Sequence, residues 1–147
     1  MRERAPSTPP VILVDTNVLL DAVLVRVRWA AGAVNLLAAA VRGEVEVVAS
    51  AHALATLDYV ARKRIGAAAS RSAIVELMAM ISIAEVGGDD VRYALSSAIP
   101  DFEDALHVAA ARRAGARVIA TRDPADYRSS PIPALAPAAA LAIAIAR

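Results

Sequence analysis

Four aspartates stand where their carboxylates could act together. Asp15 directly follows one apolar run, and Asp123 lies just beyond another. Asp101 and Asp104 are three residues apart, a spacing that places both on one face of a helix. Carboxylates that are brought together repel one another and raise each other's pKa unless a cation neutralises them. Because oxygen-only ligands select hard cations, the set indicates a Mg²⁺ or Mn²⁺ site suited to metal-assisted hydrolysis of a phosphodiester.

Each aspartate also has a purely structural interpretation. Asp101, followed at the third helical position by Asp104, resembles a helix-capping box. Asp15 could cap the helix after the first strand, and Asp123, before a proline, could begin a turn. The hypothesis of a shared site therefore depends on whether the four side chains meet at one edge of the fold.

The elements that must position these residues alternate along the chain. Short apolar runs separated by helical patterns are typical of βαβ units and a parallel sheet. The predicted strands are 11–14, 45–49, 81–86, 117–120 and a weak edge strand at 132–135. The predicted helices are 17–28, 29–41, 51–64, 70–80, 89–97, 101–114 and 137–146. Open α/β sheets bind ligands at the carboxyl ends of their strands, so Asp15 and Asp123 are expected at one rim.

The composition restricts the fold and the function class. Hydrophobic residues make up 58% of the chain and aromatic residues only 3%, so the core must consist of Val, Leu, Ile and Ala. There is no cysteine, which excludes disulfides, thiolate zinc sites and thiol nucleophiles. The net charge is +1, so attraction to a substrate must come from local patches.

The ends of the chain predict one domain and no membrane partner. Residues 1–10 are polar and proline-rich, and we interpret them as a disordered lead-in rather than a signal peptide. The charge-free run 129–146 is interrupted by prolines and is shorter than a membrane span. We therefore expect a single domain over 11–147 and a cytoplasmic location.

Three segments resemble motifs of the PIN domain family. They are VILVDTNVLL at 11–20, PDFEDAL at 100–106 and VIATRDP at 118–124, in the family's order. The resemblance covers about residues 11–140. It implies a three-layer α/β/α sandwich with a short, mainly parallel central sheet, and a metal-dependent endoribonuclease activity. It also implies, as in many bacterial members, a VapC-like toxin of a type II toxin–antitoxin pair.

The resemblance assigns roles to the acidic residues. Asp15 and Asp104 would be the principal ligands of Mg²⁺ or Mn²⁺. Asp123 would complete the site directly or through water, and Asp101 would be an additional acidic member. Asp15, Asp104 and Asp123 are the residues on which the predicted catalysis depends.

Three polar neighbours complete the predicted site. The resemblance implies that Asn17 and Thr121 orient the carboxylates or the attacking water by hydrogen bonds. Helix-start and strand-end capping is the alternative for both. Arg122, beside Asp123, is predicted to hold a phosphate of the RNA substrate because it should share the rim.

One motif departs from the family pattern. An acidic residue usually stands in the helix after the second strand, and the alignment places Thr56 there. Asp58 lies two residues on, about 200° around the helix, so it should point elsewhere. The alternative function is therefore a catalytically weakened binding or regulatory module with the same fold.

Several further expectations concern partners and other chemistry. An antitoxin protein is the expected partner, and relatives of this fold are often homodimers. Trp29 and the apolar residues before it are interpreted as a docking or dimer surface, or equally as core. A haloacid-dehalogenase-like phosphatase is disfavoured, because Asn17 stands where that chemistry needs a second aspartate and Lys63 is the only lysine. His107 is interpreted as a half-buried structural histidine, with phosphate or metal contact as the alternative.

Overall fold

The computed structural model describes residues 7–146, whose centre is a five-stranded sheet. Its spatial order is β3-β2-β1-β4-β5, and all four pairings are parallel. The predicted, mainly parallel sheet is confirmed. The strands are β1 (Val11–Val14), β2 (Glu46–Ser50), β3 (Ser82–Ala84), β4 (Val118–Ala120) and β5 (Ala134–Leu135).

In the described part of the chain, seven α-helices and one 3₁₀ turn connect and cover the strands. The helices are α1 (Thr16–Val23), α2 (Ala30–Val41), α3 (Ala51–Ile65), α4 (Ala67–Met78), α5 (Gly88–Ser96), α6 (Phe102–Ala114) and α7 (Pro137–Ile145). The 3₁₀ turn spans Pro124–Tyr127, directly after β4. Each predicted helix is present, with bounds that differ most in α1 and α4.

The helices form layers on both faces of the sheet, as predicted for a three-layer sandwich. On one face, α1 to α4 and α7 contribute to one core with Ile12 and Val14 of β1. On the other face, α5 and α6 pack against Leu13. A strand points successive side chains to opposite faces, so a short apolar run serves both cores at once.

Helix ends follow the turn residues of the sequence in most places. Ser50 caps α3 as predicted, with its hydroxyl oxygen accepting from the Ala53 amide at 3.4 Å. Gly66 and Gly115 have φ of 87° and 68°, and each ends a helix in a region that favours glycine. The prediction that Asp89 or Asp90 caps α5 is wrong in detail. Gly87 is the cap residue, and the Asp90 carboxylate accepts from the Gly87 amide at 2.8 Å.

The predicted helix over residues 17–28 ends early, at Val23. Val25 has φ of 50°, a left-handed conformation that is unfavourable for a β-branched residue and cannot continue a helix. The Arg26 amide then donates to the Asp21 carbonyl at 3.1 Å, which closes the end of α1. The segment between α1 and α2 therefore exposes Val25 and Val27 to solvent.

The strand order reverses between β1 and β4. From β1 the chain proceeds to β2 and β3 on one side, and it returns to β4 and β5 on the other. Such a switch point leaves a crevice beyond the carboxyl ends of the two strands. The residues that follow β1 and β4 therefore border one crevice, which the sequence predicted for Asp15 and Asp123.

The chain ends add two observations. The predicted disordered lead-in falls largely on residues 1–6, which lie outside the described residues, whereas the Pro10 carbonyl accepts from the Glu46 amide at 2.9 Å. Within residues 7–146, the helices are too short or too polar to cross a membrane.

Candidate functional site

Asp15 is a buried carboxylate at the junction of β1 and α1. Its side chain is held by hydrogen bonds on both oxygens, Oδ1 accepting from the Val18 amide at 3.2 Å and Oδ2 from the Thr121 hydroxyl at 2.5 Å. Burial raises its pKa to about 6 although these hydrogen bonds favour the ionised form. Asp15 therefore caps α1 as predicted, and the capping bond uses Oδ1 alone.

Thr121 connects the ends of the two central strands. It is fully buried after β4, where its hydroxyl donates to Asp15 and its oxygen accepts from the Asp123 amide at 3.1 Å. The exposed Asp123 carboxylate lies close enough to raise the pKa of Asp15 further. The geometry thus brings Asp15, Thr121 and Asp123 together at the switch point.

Asp104 belongs to the same acidic cluster from the first turn of α6. Burial and the charge of Asp101 raise its pKa to about 6, and the charge of Asp15 adds to the effect. The Tyr127 hydroxyl donates to Asp104 Oδ1 at 3.1 Å, and this hydrogen bond lowers the pKa of Asp104. Asp101 caps α6 by accepting from the Asp104 amide at 3.0 Å, so its structural interpretation is confirmed.

The two predicted site residues Asn17 and Arg122 lie in different surroundings. Asn17 is half-buried in the first turn of α1, and its backbone amide contributes to holding the Asp15 carboxylate. Arg122 donates to the buried Asp21 carboxylate at 3.1 Å and lies 5.1 Å from the Trp29 ring centroid. The roles predicted for the Asn17 side chain and for Arg122 as a phosphate ligand stay predictions.

Asp21 is a buried acid that the sequence analysis did not single out. It is 2% exposed and forms ion pairs with Arg26 at 3.3 Å and Arg122 at 3.1 Å. Burial raises the pKa of Asp21 above its ordinary value, and Arg122 and Arg26 offset only part of that rise. The exposed apolar surface near it, predicted around Trp29, is present: Val27 is 98% exposed and Trp29 38%.

A second polar cluster lies against the acidic one and was also not predicted as a unit. The Thr16 hydroxyl donates to Glu103 Oε1 at 2.7 Å, and Tyr127 Oη lies 3.0 Å from His107 Nδ1. The His52 and His107 rings are stacked with centroids 4.9 Å apart. Tyr127 joins the two clusters, because its hydroxyl contacts both Asp104 and His107.

His107 is more deeply buried than the sequence indicated. It is 1% exposed rather than half-buried, and burial together with His52 lowers its pKa to about 3. Its spacing from Asp104 was visible in the sequence. The partners Tyr127 and His52 were not, because a 3₁₀ turn and a separate helix bring them there.

The helix that lacks the family's acidic residue adds no carboxylate at this rim. Thr56 is half-buried on α3, one turn after His52. Asp58 instead accepts from the Ser70 hydroxyl at 2.8 Å, across the contact between α3 and α4. The expectation that Asp58 points elsewhere is confirmed.

A cavity of about 510 Å³ opens beside the acidic cluster. Asp101, Asp104 and Asp126 line it together with Arg128. Asp126 was not predicted as a site residue, and its charge contributes to the raised pKa of Asp104. The cavity offers space for a substrate group next to the carboxylates.

The donor set of the acidic cluster fits a hard divalent cation. Asp15, Asp104 and Asp123 supply carboxylate oxygens, and their mutual repulsion is what a bound cation would relieve. The nearest histidine nitrogen, His107 Nδ1, is 4.0 Å from Asp104 Oδ1 and is taken up by Tyr127. An oxygen-only set of this kind suits Mg²⁺ or Mn²⁺.

The fold and the site together define a class of protein: an α/β sandwich with an acidic cluster at the switch point of its sheet. The model of the PIN domain family matches residues 11–125, and the chain belongs to that family. No curated protein matches the chain.

Ten solved chains match this one, and two of them illustrate the shared fold. One is VapBC2 from Rickettsia felis bound to a promoter DNA fragment, at 16% identity and a TM-score of 0.66, covering 86% of this chain and 98% of that one. The other is VapC20 from Mycobacterium tuberculosis, described as a toxin that cleaves the sarcin-ricin loop. It has 21% identity and a TM-score of 0.60, covering 74% of this chain and 86% of that one.

Proposed function

We propose that the chain is a Mg²⁺- or Mn²⁺-dependent endoribonuclease that hydrolyses RNA phosphodiester bonds. The observation that carries the proposal is the electrostatic coupling of Asp15 with Asp104 and Asp123 at the switch point. These carboxylates come from three separate segments of the chain. Membership of the PIN domain family supports the same activity.

The chain's own residues would prepare the site in three ways. Asp15, Asp104 and Asp123 would hold the cation, which when bound supplies Lewis-acid stabilisation of charge on the phosphodiester. The Thr121 hydroxyl fixes Asp15, and the Tyr127 hydroxyl fixes Asp104. Fixed donors position the ligands before a substrate arrives, which is the role expected of residues that surround a metal ligand.

Substrate contacts are assigned to the rim of the same crevice. Arg128 lines the cavity beside Asp104, and Arg122 follows Thr121. Both arginines could meet an RNA phosphate, since guanidinium groups bind phosphate oxygens in pairs. We propose that the side chain of Asn17, next to Asp15, holds a water near the cation.

The test is cleavage of RNA in the presence of Mn²⁺ by the wild type and by two isosteric variants. Asp15→Asn and Asp104→Asn should each reduce cleavage at least about 100-fold, because each removes a charged ligand from the cation. Asp89→Asn is the matched control, since that carboxylate lies exposed on α5. Equal cleavage by all four proteins would remove the acidic cluster from the mechanism.

A second candidate function is a binding module of the same fold with weakened catalysis. Thr56 favours it, because α3 contributes no carboxylate at the position where the family places one. Calorimetry with Mn²⁺ separates the two: no measurable Mn²⁺ binding, with RNA still bound, supports the module. Thr56→Glu should then strengthen Mn²⁺ binding and cleavage, and no change would contradict the alignment at position 56.

We propose further that the protein is the toxin of a type II toxin–antitoxin pair in the cytoplasm. The Rickettsia felis neighbour is a VapBC2 structure, which suggests an antitoxin partner for this chain as well. An apolar groove of about 660 Å³ lies between α1, α2 and α4, lined by Val25, Val34, Val41 and Leu77 among others. We assign this groove to an apolar segment of the antitoxin.

The partner proposal is tested by co-purification with the product of an adjacent small reading frame. Val34→Asp and Val41→Asp should abolish the complex without reducing RNA cleavage, because both residues are exposed and lie outside the acidic cluster. Light scattering of the isolated protein tests the expected homodimer. An intact complex in both variants would place the antitoxin on another surface.

A further inference from the structure

We propose that His52, Glu103 and His107 form a second metal site, selective for a borderline cation such as Zn²⁺, beside the carboxylate cluster. One ligand atom from each residue lies within 4.8 Å of the other two. The site joins α3 to α6 and shares no ligand with the proposed nuclease site. It therefore does not rest on the nuclease activity.

The hydrogen bonds around His107 determine which ring nitrogen is free. Tyr127 has a single hydroxyl proton, which it donates to Asp104 Oδ1 at 3.1 Å. The phenol oxygen must then accept from His107 Nδ1, which lies 3.0 Å away and carries the proton of the neutral ring. The lone pair of His107 is consequently on Nε2.

That lone pair is buried and has no hydrogen-bond partner. His107 Nε2 lacks any donor or acceptor within bonding distance. The nearest charged atom is Glu103 Oε1 at 3.9 Å, which itself accepts from the Thr16 hydroxyl. Two acceptors that face each other offer their lone pairs to the same point, which is where a cation could bind.

The surroundings already resemble those of a metal ligand. Histidines that bind metals usually donate their other ring N–H to a fixed acceptor, which orients the ring. Tyr127 provides that acceptor for His107, and Thr16 holds the carboxylate of Glu103. Ser50 Oγ lies 3.2 Å from His52 Nε2 and can orient the third ligand.

The donor types select the class of cation. Two imidazole nitrogens and one carboxylate oxygen are a frequent ligand set of Zn²⁺ with a fourth position open to water. The adjacent cluster of Asp15, Asp104 and Asp123 offers oxygen alone and suits harder ions. The nitrogen-containing site would therefore prefer Zn²⁺, and the neighbouring carboxylate site would prefer Mg²⁺ or Mn²⁺.

Binding requires a limited rearrangement of the exposed ligands. In a tetrahedral site with metal–ligand bonds of about 2.0–2.1 Å, ligand atoms are about 3.3 Å apart, so the group must contract. The two stacked rings are 16° from parallel, so one of them must also turn before both can direct a nitrogen at one ion. His107 is anchored by Tyr127, whereas His52 and Glu103 are only half-buried and can turn.

The experiment uses full-length protein without a histidine tag, titrated with Co²⁺ as a spectroscopic substitute and then with Zn²⁺. Wild type should develop the intense visible bands of a low-coordinate nitrogen-containing site, and Zn²⁺ should displace them. Zn²⁺ should also raise the melting temperature, since it binds only the folded protein. Neither readout requires RNA cleavage.

Three variants locate the signal. Glu103→Gln and His52→Ala should weaken Co²⁺ binding by more than the about 10–100-fold typical of a lost supporting residue. Asp123→Asn, the matched control, should keep the bands because it alters only the acidic cluster. Glu103 and His52 are half-buried, so circular dichroism can verify that these variants fold. Absent bands in wild type, or bands lost in Asp123→Asn and kept in Glu103→Gln, would overturn the proposal.

Discussion

The two buried carboxylates at the ends of α1 have opposite surroundings. Asp15 and Asp21 are 5% and 2% exposed. Asp21 is paired with Arg26 and Arg122. Asp15 receives hydrogen bonds from a hydroxyl and from backbone amides, and its charged neighbour is another acid, Asp123.

This difference separates a structural carboxylate from one available to a ligand. A buried charge is costly unless the fold supplies the opposite charge, and for Asp21 two arginines offset part of that cost. For Asp15 the charge is oriented but not neutralised, and the pKa of about 6 reflects that deficit. A bound divalent cation would offset the negative charge of Asp15, as Arg26 and Arg122 do for Asp21.

The largest effect on stability is expected from Asp21→Asn. The variant removes both ion pairs but also relieves the burial that raises the pKa of Asp21, so the free energy of unfolding should fall by about 1–2 kcal/mol. The value is below that of a fully buried pair because the arginine side chains are 29% and 21% exposed. Urea denaturation measures it, with the exposed Asp89→Asn as a control that should not shift the midpoint. An unchanged midpoint for Asp21→Asn would mean that the arginines do not stabilise the fold through it.

Thr121→Val should weaken Mn²⁺ binding about 10–100-fold, because it removes the donor that orients Asp15 while preserving volume. Isothermal calorimetry provides the measurement. Thr16→Val is the matched control, since that hydroxyl donates to Glu103 instead. Equal losses of Mn²⁺ affinity in both variants would contradict a specific role for Thr121.

Asp15→Asn should stabilise the metal-free protein by about 1 kcal/mol at pH 7. A pKa raised from 3.8 to about 6 means that the folded state binds the proton more tightly, so stability is lost as pH rises from about 4 to 6. The shift sets an upper limit of about 3 kcal/mol, reduced by the hydrogen bonds that Asn cannot keep. Urea midpoints between pH 4 and 8 should slope less steeply in the variant. An identical slope would show that Asp15 does not titrate in this range.

The smallest effect is expected from Arg122→Gln. It should weaken RNA binding by about 1 kcal/mol through the loss of one charge-assisted contact, while Arg26→Gln should not. Both variants remove one partner of Asp21, so they are matched in their effect on the fold. Fluorescence anisotropy with an uncleaved RNA compares them. Equal RNA affinity would assign Arg122 to the Asp21 ion pair alone.

Most of the fold follows from local sequence patterns. β1 and β4 are apolar on both faces and buried, so a continuous hydrophobic run marks them. The end of α1 could not be predicted, because Val25 adopts a conformation that its residue type disfavours. The cap of α5 was misassigned because Asp90 bonds back to Gly87 from inside the helix.

The sequence predicted the site where strand ends determine it, and the family resemblance added Asp104 at the start of α6. Parallel strand order places Asp15 near Thr121 and Asp123, and the structure brings them together. The contacts of Tyr127 and Asp21 depend instead on side chains packing across separate elements. No periodicity or spacing in the sequence encodes those contacts.

The short outer strands of the sheet determine how copies of this chain can associate. β3 has three residues and β5 has two, so each leaves few unpaired backbone groups at its edge. Edges of that length are poor templates for strand addition by another molecule, which protects against aggregation through β-pairing. If copies associate, helix surfaces are the expected contacts, and mutations that weaken association should map to helices rather than to strand edges.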